Sequence, residues 1–194
     1  MTLTPKAKQK LINILEIFQK GQVQLALEEI KKLYDLFPNS DVLNNNYGVI
    51  LSKINKEEDA IKFFNKAIYI NDKYVSAYNN LGNLLSKRGK TEDAIFLFKK
   101  AVQIDKTNED ILYSIAINLS LMQKYHESII YFNKIISLNQ NNPEVYNDLG
   151  TVYFSMGKNQ EALENFLKSV DLNSTYAEAQ CNTGLALNIL NRNH

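Results

Sequence analysis

Apolar side chains recur along this chain with a helical period inside short segments, and the whole pattern returns every 34 residues. The clearest copy is Val75 to Asn108, VSAYNNLGNLLSKRGKTEDAIFLFKKAVQIDKTN. With Val75 as phase 1, apolar or small side chains fall at phases 4, 7, 8 and 11, which is one face of a helix. Stepping by 34 places further copies at 7–40, 41–74, 109–142 and 143–176, and a half copy at 177–194, with no insertion between them. Each copy predicts two amphipathic helices, A then B, joined by a tight turn. Residues 1–194 therefore read as a single all-α domain.

Side-chain size is periodic as well. Phase 8 holds Ile14, Gly48, Gly82, Ala116, Gly150 and Gly184, and phase 20 holds Ala26, Ala60, Ala94, Ser128 and Ala162. Small residues at these places let helices A and B approach closely, because a branched side chain would wedge them apart. Phase 24 supplies the filler: Ile30, Phe64, Phe98, Phe132 and Phe166. Phase 15, in the turn, holds Gly21, Asn55, Gly89, Gln123, Gly157 and Asn191. Glycine and asparagine tolerate the left-handed conformation at a helix C-terminus, so Gln123 predicts a slightly different turn. Asn71-Asp72, Asp105-Lys106 and Asn139 to Asn142 offer capping side chains between copies, and Pro143 reads as a first-turn proline after Asn142.

The phase-8, phase-20 and phase-24 residues, with Phe37-Pro38-Asn39 at a boundary, resemble the tetratricopeptide repeat from Ala7 onward. Other boundaries replace the family's proline with Asp72, Lys106, Gln140 and Ser174. The resemblance implies an α-solenoid of stacked helix-turn-helix repeats forming a right-handed superhelix, with A helices on the concave wall. The first copy is atypical at Asn13 and Ile14. In the half copy, Gln180 and Thr183 soften the outer face while Leu185, Leu187, Ile189 and Leu190 remain, so a continuing chain or a cover over this end is expected. AYNNLGN (Ala77 to Asn83) after Tyr74, and Tyr176-Ala177-Glu178-Ala179 with Asn182, are similar to repeats ahead of O-linked N-acetylglucosamine transferase and bacterial sulfotransferase domains. That likeness implies peptide-holding roles for Asn46, Asn80 and Asn182, although Ser114 and Asp148 interrupt the row. The family's carboxylate clamp is not completed, because Asn83 is followed by Ser114, Glu144 and Asp148.

Charge and composition narrow the function. The 22 basic and 21 acidic residues leave a net charge of +1, so no long-range field recruits nucleic acid or an acidic membrane. Lysines recur at phase 26 (Lys32, Lys66, Lys100, Lys134, Lys168) and phase 16 (Lys56, Lys90, Lys124, Lys158), and read as solvated outer charges. No apolar stretch reaches the roughly 20 residues a membrane span needs. The start, MTLTPKAKQKLINILEIF, reads as an amphipathic helix rather than a signal peptide. Cys181 is the single cysteine, which excludes an intrachain disulfide and points to the cytoplasm. His126 and His194 are the histidines, and no metal, phosphate-loop or nucleophile motif occurs. The expectation is a chain with no catalytic residues, metal or cofactor.

Steps of 100° put phases 2, 5, 6, 9, 12 and 13 of helix A opposite its buried stripe, lining a groove. The second and third copies offer Asn45, Asn46, Asn79, Asn80, Asn83 and Lys87 there, a polar and mildly basic stretch. Later copies offer Tyr113, Ile117, Leu121, Asp148, Phe154 and Asn182, with Leu185 and Ile189 extending an apolar strip. Amides both donate and accept, which suits a peptide backbone of any sequence, and an exposed apolar strip suits a partner helix. The sequence thus predicts a non-catalytic protein-interaction scaffold for a protein or peptide partner. Two alternatives stand beside it: the substrate-docking region of a larger transferase, and a self-associating module joined through the apolar strip or the C-terminal end.

Overall fold

The computed structural model describes residues 3–192, so the ends of the N-terminal stretch and of the half copy, including His194, lie outside it. Eleven helices fill the described residues: α1 (Pro5–Gln19), α2 (Val23–Leu36), α3 (Asp41–Lys53), α4 (Glu57–Ile70), α5 (Val75–Lys87), α6 (Thr91–Ile104), α7 (Glu109–Leu121), α8 (Tyr125–Leu138), α9 (Pro143–Ser155), α10 (Asn159–Leu172) and α11 (Ala177–Arg192). Among these residues there is no strand. From α3 on, every A helix begins 34 residues after the last, as does every B helix from α2. Only α1 departs, starting at Pro5 because Thr4 caps it, its side chain accepting from the Ala7 N–H, with proline in the first turn. The helices fall into two compact units, residues 1–105 and 106–194.

Inside each repeat the size code works as a lock. A Cβ added to Gly48, Gly82 or Gly150 would stand 2.6–2.7 Å from a ring carbon of Phe64, Phe98 or Phe166, which is closer than real Cβ atoms come. The phase-24 ring therefore occupies the space where helix A has no side chain, and Phe64, Phe98, Phe132 and Phe166 are all buried. The fourth repeat carries Ala116 and Ser128 instead, and the Ser128 hydroxyl donates to the Ala116 carbonyl at 2.8 Å. Ser169 likewise donates to the Pro143 carbonyl at 2.8 Å, so both buried hydroxyls are satisfied. In the N-terminal unit one core runs from Leu3 through Ile30 and Phe64 to Leu84.

The turns correct one expectation. Gln123 has φ 60°, alongside Asn55 at 59° and the glycines at 73–79°. Its N–H donates to the Ser120 carbonyl and the Lys124 N–H to that of Leu119, as Gly89 and Lys90 do with Ser86 and Leu85. Closing the A–B turn over a packed repeat overrides the residue's reluctance to be left-handed. Asn191 forms no such turn, because α11 continues through it to Arg192. Helix N-caps come from Ser40, Asn108 and Asn142. Asn71, Asn139 and Asn173 instead accept from the N–H two residues on, folding the link between repeats.

Candidate functional site

The A-helix wall of the N-terminal unit begins with an amide pair. Asn80 of α5 donates through Nδ2 to Oδ1 of Asn45 on α3, 2.9 Å away. This bond joins phase 6 of one repeat to phase 5 of the repeat before it. Asn45 is buried beneath that contact, so it supports the wall rather than facing solvent. Asn46 has no such partner, since phase 5 of the first repeat is Leu11; its amide turns to the Val42 carbonyl of its own helix at 2.8 Å. Asn79 is half-buried, with an Oδ1 that has no partner. Asn83 and Lys87 are exposed, and with Val49, Ser52, Asn80 and Leu84 they edge a shallow pocket of about 220 Å³. Lys87 lies 3.6 Å from Glu57, and Arg88 holds Glu58 at 2.7 Å.

A second feature of this unit was not foreseen. Leu11 and Ile12 stand at phases 5 and 6 of α1, where α3 and α5 carry asparagine, and no amide bond draws α1 and α3 together. A pocket of about 400 Å³ opens there, lined by Leu3, Leu11, Ile12, Leu15 and Val42, with Lys8, Ser40, Asp41 and Asn46 at its rim. The apolar substitution at phases 5 and 6 was the available signal.

In the C-terminal unit the phase 5 to phase 6 bridge recurs in two chemistries. Between α9 and α11 it is again an amide pair, Asn182 Nδ2 to Asn147 Oδ1 at 2.9 Å. Between α7 and α9 the Tyr113 hydroxyl donates to Asp148 Oδ2 at 2.5 Å. Burial holds the Asp148 carboxyl above its ordinary range, and Glu178 and Glu144 add to the rise while the Tyr113 and Asn147 bonds work against it. Burial likewise raises Tyr113, helped by its bond to the Asp148 carboxylate. Tyr176 is pushed up to about 12 by burial first and then by Glu178, Asp148 and Glu144. Asn147, buried like Asn45, also reaches Glu178 Oε1 at 3.2 Å.

Phase 2 of this unit is acidic throughout, Asp110, Glu144 and Glu178, whereas α3 and α5 have Val42 and Ser76 there. Between the first turns of α7 and α9 a pocket of about 310 Å³ is lined by Glu109, Asp110, Tyr113, Asn142 and Glu144 over Ile135 and Val145. Of the side chains expected to form an apolar strip, two are exposed. Leu121 is 71% exposed and Leu185 51%, while Ile117 and Phe154 are half-buried. Phe154 packs against Ala162, Leu163, Phe166 and Ala186, so part of its ring belongs to the core. Cys181 and His126 are exposed. Among the described residues, no three His, Cys, Asp or Glu side chains converge as metal ligands, and no helix is long and apolar enough to cross a membrane.

Family profiles described as Tetratricopeptide repeat match residues 75–108, 131–164, and 43–74 with 109–142, and one described as TPR repeat matches 150–188. No curated protein matches the sequence. Among solved structures, YrrB, a TPR protein with an unusual peptide-binding site, superposes with a TM-score of 0.71 at 23% identity, covering 84% of each chain. MamA (41-end) from Desulfovibrio magneticus RS-1 gives 0.80 at 17%, covering 91% of this chain and 99% of the other. TTC0263, a thermophilic TPR protein of Thermus thermophilus, gives 0.67 at 17%, covering 93% and 98%. At these identities the likeness is one of fold.

Proposed function

The chain belongs to the tetratricopeptide-repeat family, and from that premise we propose that it is a non-catalytic scaffold whose A helices dock a peptide or helix of another protein. The observation carrying this reading is the division of labour within each repeat. The face where helices A and B meet is filled by glycine, alanine and phenylalanine. The opposite face of the A helices keeps apolar side chains such as Leu121 and Leu185 in solvent, beside amides, lysines and carboxylates. Apolar surface rimmed by polar groups is characteristic of contact sites where it is contiguous. The peptide-binding site named for YrrB is consistent with such a role.

The test is affinity capture from the source cells with the native chain and with a Leu121→Ser, Leu185→Ser double variant, followed by mass spectrometry. Both residues are exposed, so the variant should melt as the native chain does. Loss of specific captured proteins supports the docking wall. An unchanged set of captured proteins overturns it.

A further inference from the structure

We propose that the A-helix wall of the C-terminal unit selects a cationic amphipathic helix, taking its apolar face on Leu121 and Leu185 and its lysine or arginine side chains on Asp110, Glu144 and Glu178. This deepens the docking reading above and rests on it. The leucines expose apolar surface on α7 and α11, and Ile117 and Phe154 stand half-buried beside them. What decides the occupant is charge. Phase 2 of α7, α9 and α11 is a row of carboxylates, and Asp148 adds a fourth at phase 6. The lysines and arginine of the described part of this unit are Lys106, Lys124, Lys134, Lys158, Lys168 and Arg192. All of them stand on B helices, in links or turns, or at the last residue of α11. Among the described residues no salt bridge reaches Asp110, Glu144, Asp148 or Glu178, whereas the N-terminal unit pairs Glu29, Glu57, Glu58 and Asp59 with lysine or arginine.

A position in the first turn suits a carboxylate, because it faces the positive end of the helix dipole. That accounts for the phase-2 residues singly but leaves Asp148, a turn further on, crowded by Glu144 and Glu178. A cation from a partner relieves this crowding. The pocket of about 310 Å³ between Asp110, Tyr113 and Glu144 supplies a place for one such group.

Geometry favours a helix as the guest. Packed helices stand roughly 8–10 Å apart, so the three phase-2 carboxylates form a row with that repeat. A guest helix repeats about every 10 Å at a spacing of seven residues, which matches the row. Phases 2 and 9 of an A helix lie about 10 Å apart along its axis, so a guest resting on Ile117 and Leu185, both at phase 9, reaches the acidic row with long side chains, while Leu121, at phase 13, touches the guest about 16 Å from that row.

The test uses fluorescein-labelled synthetic amphipathic helices of about 18 residues, long enough to cross three A helices. One carries leucine and lysine, the second leucine and glutamate in the same pattern, and anisotropy titrations are run on the full chain. The lysine probe should bind at least about tenfold more tightly than the glutamate probe. A Glu144→Gln, Glu178→Gln variant should lose about tenfold for the lysine probe while keeping a cooperative melt, and Leu121→Gln with Leu185→Gln should weaken both probes. Changing Asn83 and Lys87 to alanine should leave the lysine probe unaffected. Equal binding of both probes that still depends on Leu121 and Leu185 overturns the charge selection and leaves the docking wall standing. Binding that ignores Leu121 and Leu185, or no binding at all, overturns both. Preference for the glutamate probe with dependence on Lys87 overturns the inference and moves docking to the N-terminal unit.

Discussion

The same two phases of the repeat are bridged by neutral amides between α3 and α5 in the N-terminal unit and by a phenol and a carboxylate between α7 and α9 in the C-terminal unit, where α9 and α11 keep the amide form. Asn80 to Asn45 joins α5 to α3, and Tyr113 to Asp148 joins α7 to α9. Both bridges cross between A helices at the wall, yet they leave different electrostatics behind. The amide pair is neutral, with Asn45 also bonded to the Tyr74 side chain, and Lys87, which shares a pocket with Asn80, has an acidic partner at Glu57. The Tyr113–Asp148 pair holds a half-buried carboxylate beside two others, and among the described residues no lysine or arginine forms a salt bridge with it. A repeat frame can therefore keep its packing constant while changing the electrostatics of the A-helix wall.

Removing the donor at each bridge should separate the two most sharply. Tyr113→Phe leaves the half-buried Asp148 carboxylate without its phenol and is expected to cost about 1–3 kcal/mol. Asn80→Ala removes a neutral bond and should cost about 1 kcal/mol. Urea unfolding of the two variants decides this, and equal costs would break the contrast.

The pH dependence should differ as well. Asp148, faced by Tyr113, Glu144, Tyr176 and Glu178, holds its proton more tightly in the folded state than in the unfolded chain. Its contribution to stability is therefore present below the unfolded carboxylate value and falls as pH rises through the raised folded one. Subtracting the urea midpoints of Asp148→Asn from those of the native chain at a series of pH values should show that loss. A flat difference would mean that the carboxylate is not perturbed.

At the turns, Gln123→Gly should stabilise the chain by about 1 kcal/mol by relieving a left-handed glutamine, and Gly89→Gln should cost about as much. Thermal melts of the two variants test whether both turns share one backbone. The smallest effect is expected at Lys87→Ala, within about 0.5 kcal/mol, because its ion pair with Glu57 is solvated. A larger loss in a salt-dependent denaturation series would make that pair structural.

The repeat frame was legible in the sequence because contacts within one repeat are governed by side-chain volume, which a 34-residue comparison exposes directly. Gly82, Ala94 and Phe98 name their own neighbours. The wall was harder to read. A helical wheel for one helix places Asn45 and Asn147 on the groove side, but the next A helix covers phase 5 and buries both. Phe154 was read as exposed for the same reason, although α10 and α11 cover part of it. Gln123 misled because propensity is a weak prior against a closed turn. The pocket between α1 and α3 is lined by Leu11 and Ile12, whose apolar side chains at phases 5 and 6 were its trace in the sequence.

The phase 5 to phase 6 bridge also carries a rule of succession. The glycine–phenylalanine lock lies within a repeat, so it travels with any repeat that is copied or moved. The bridge is written half in one repeat and half in the next, and so acts as a grammar for which repeat can follow which. Asn45–Asn80 and Asn147–Asn182 have interchangeable halves, so a chimera in which the second repeat is followed directly by the α11 segment keeps a well-formed junction. Placing Asn80 after Tyr113, or Asp148 after Asn45, joins halves from different bridges. The order of repeats in this chain is thus constrained at the three seams that carry a bridge.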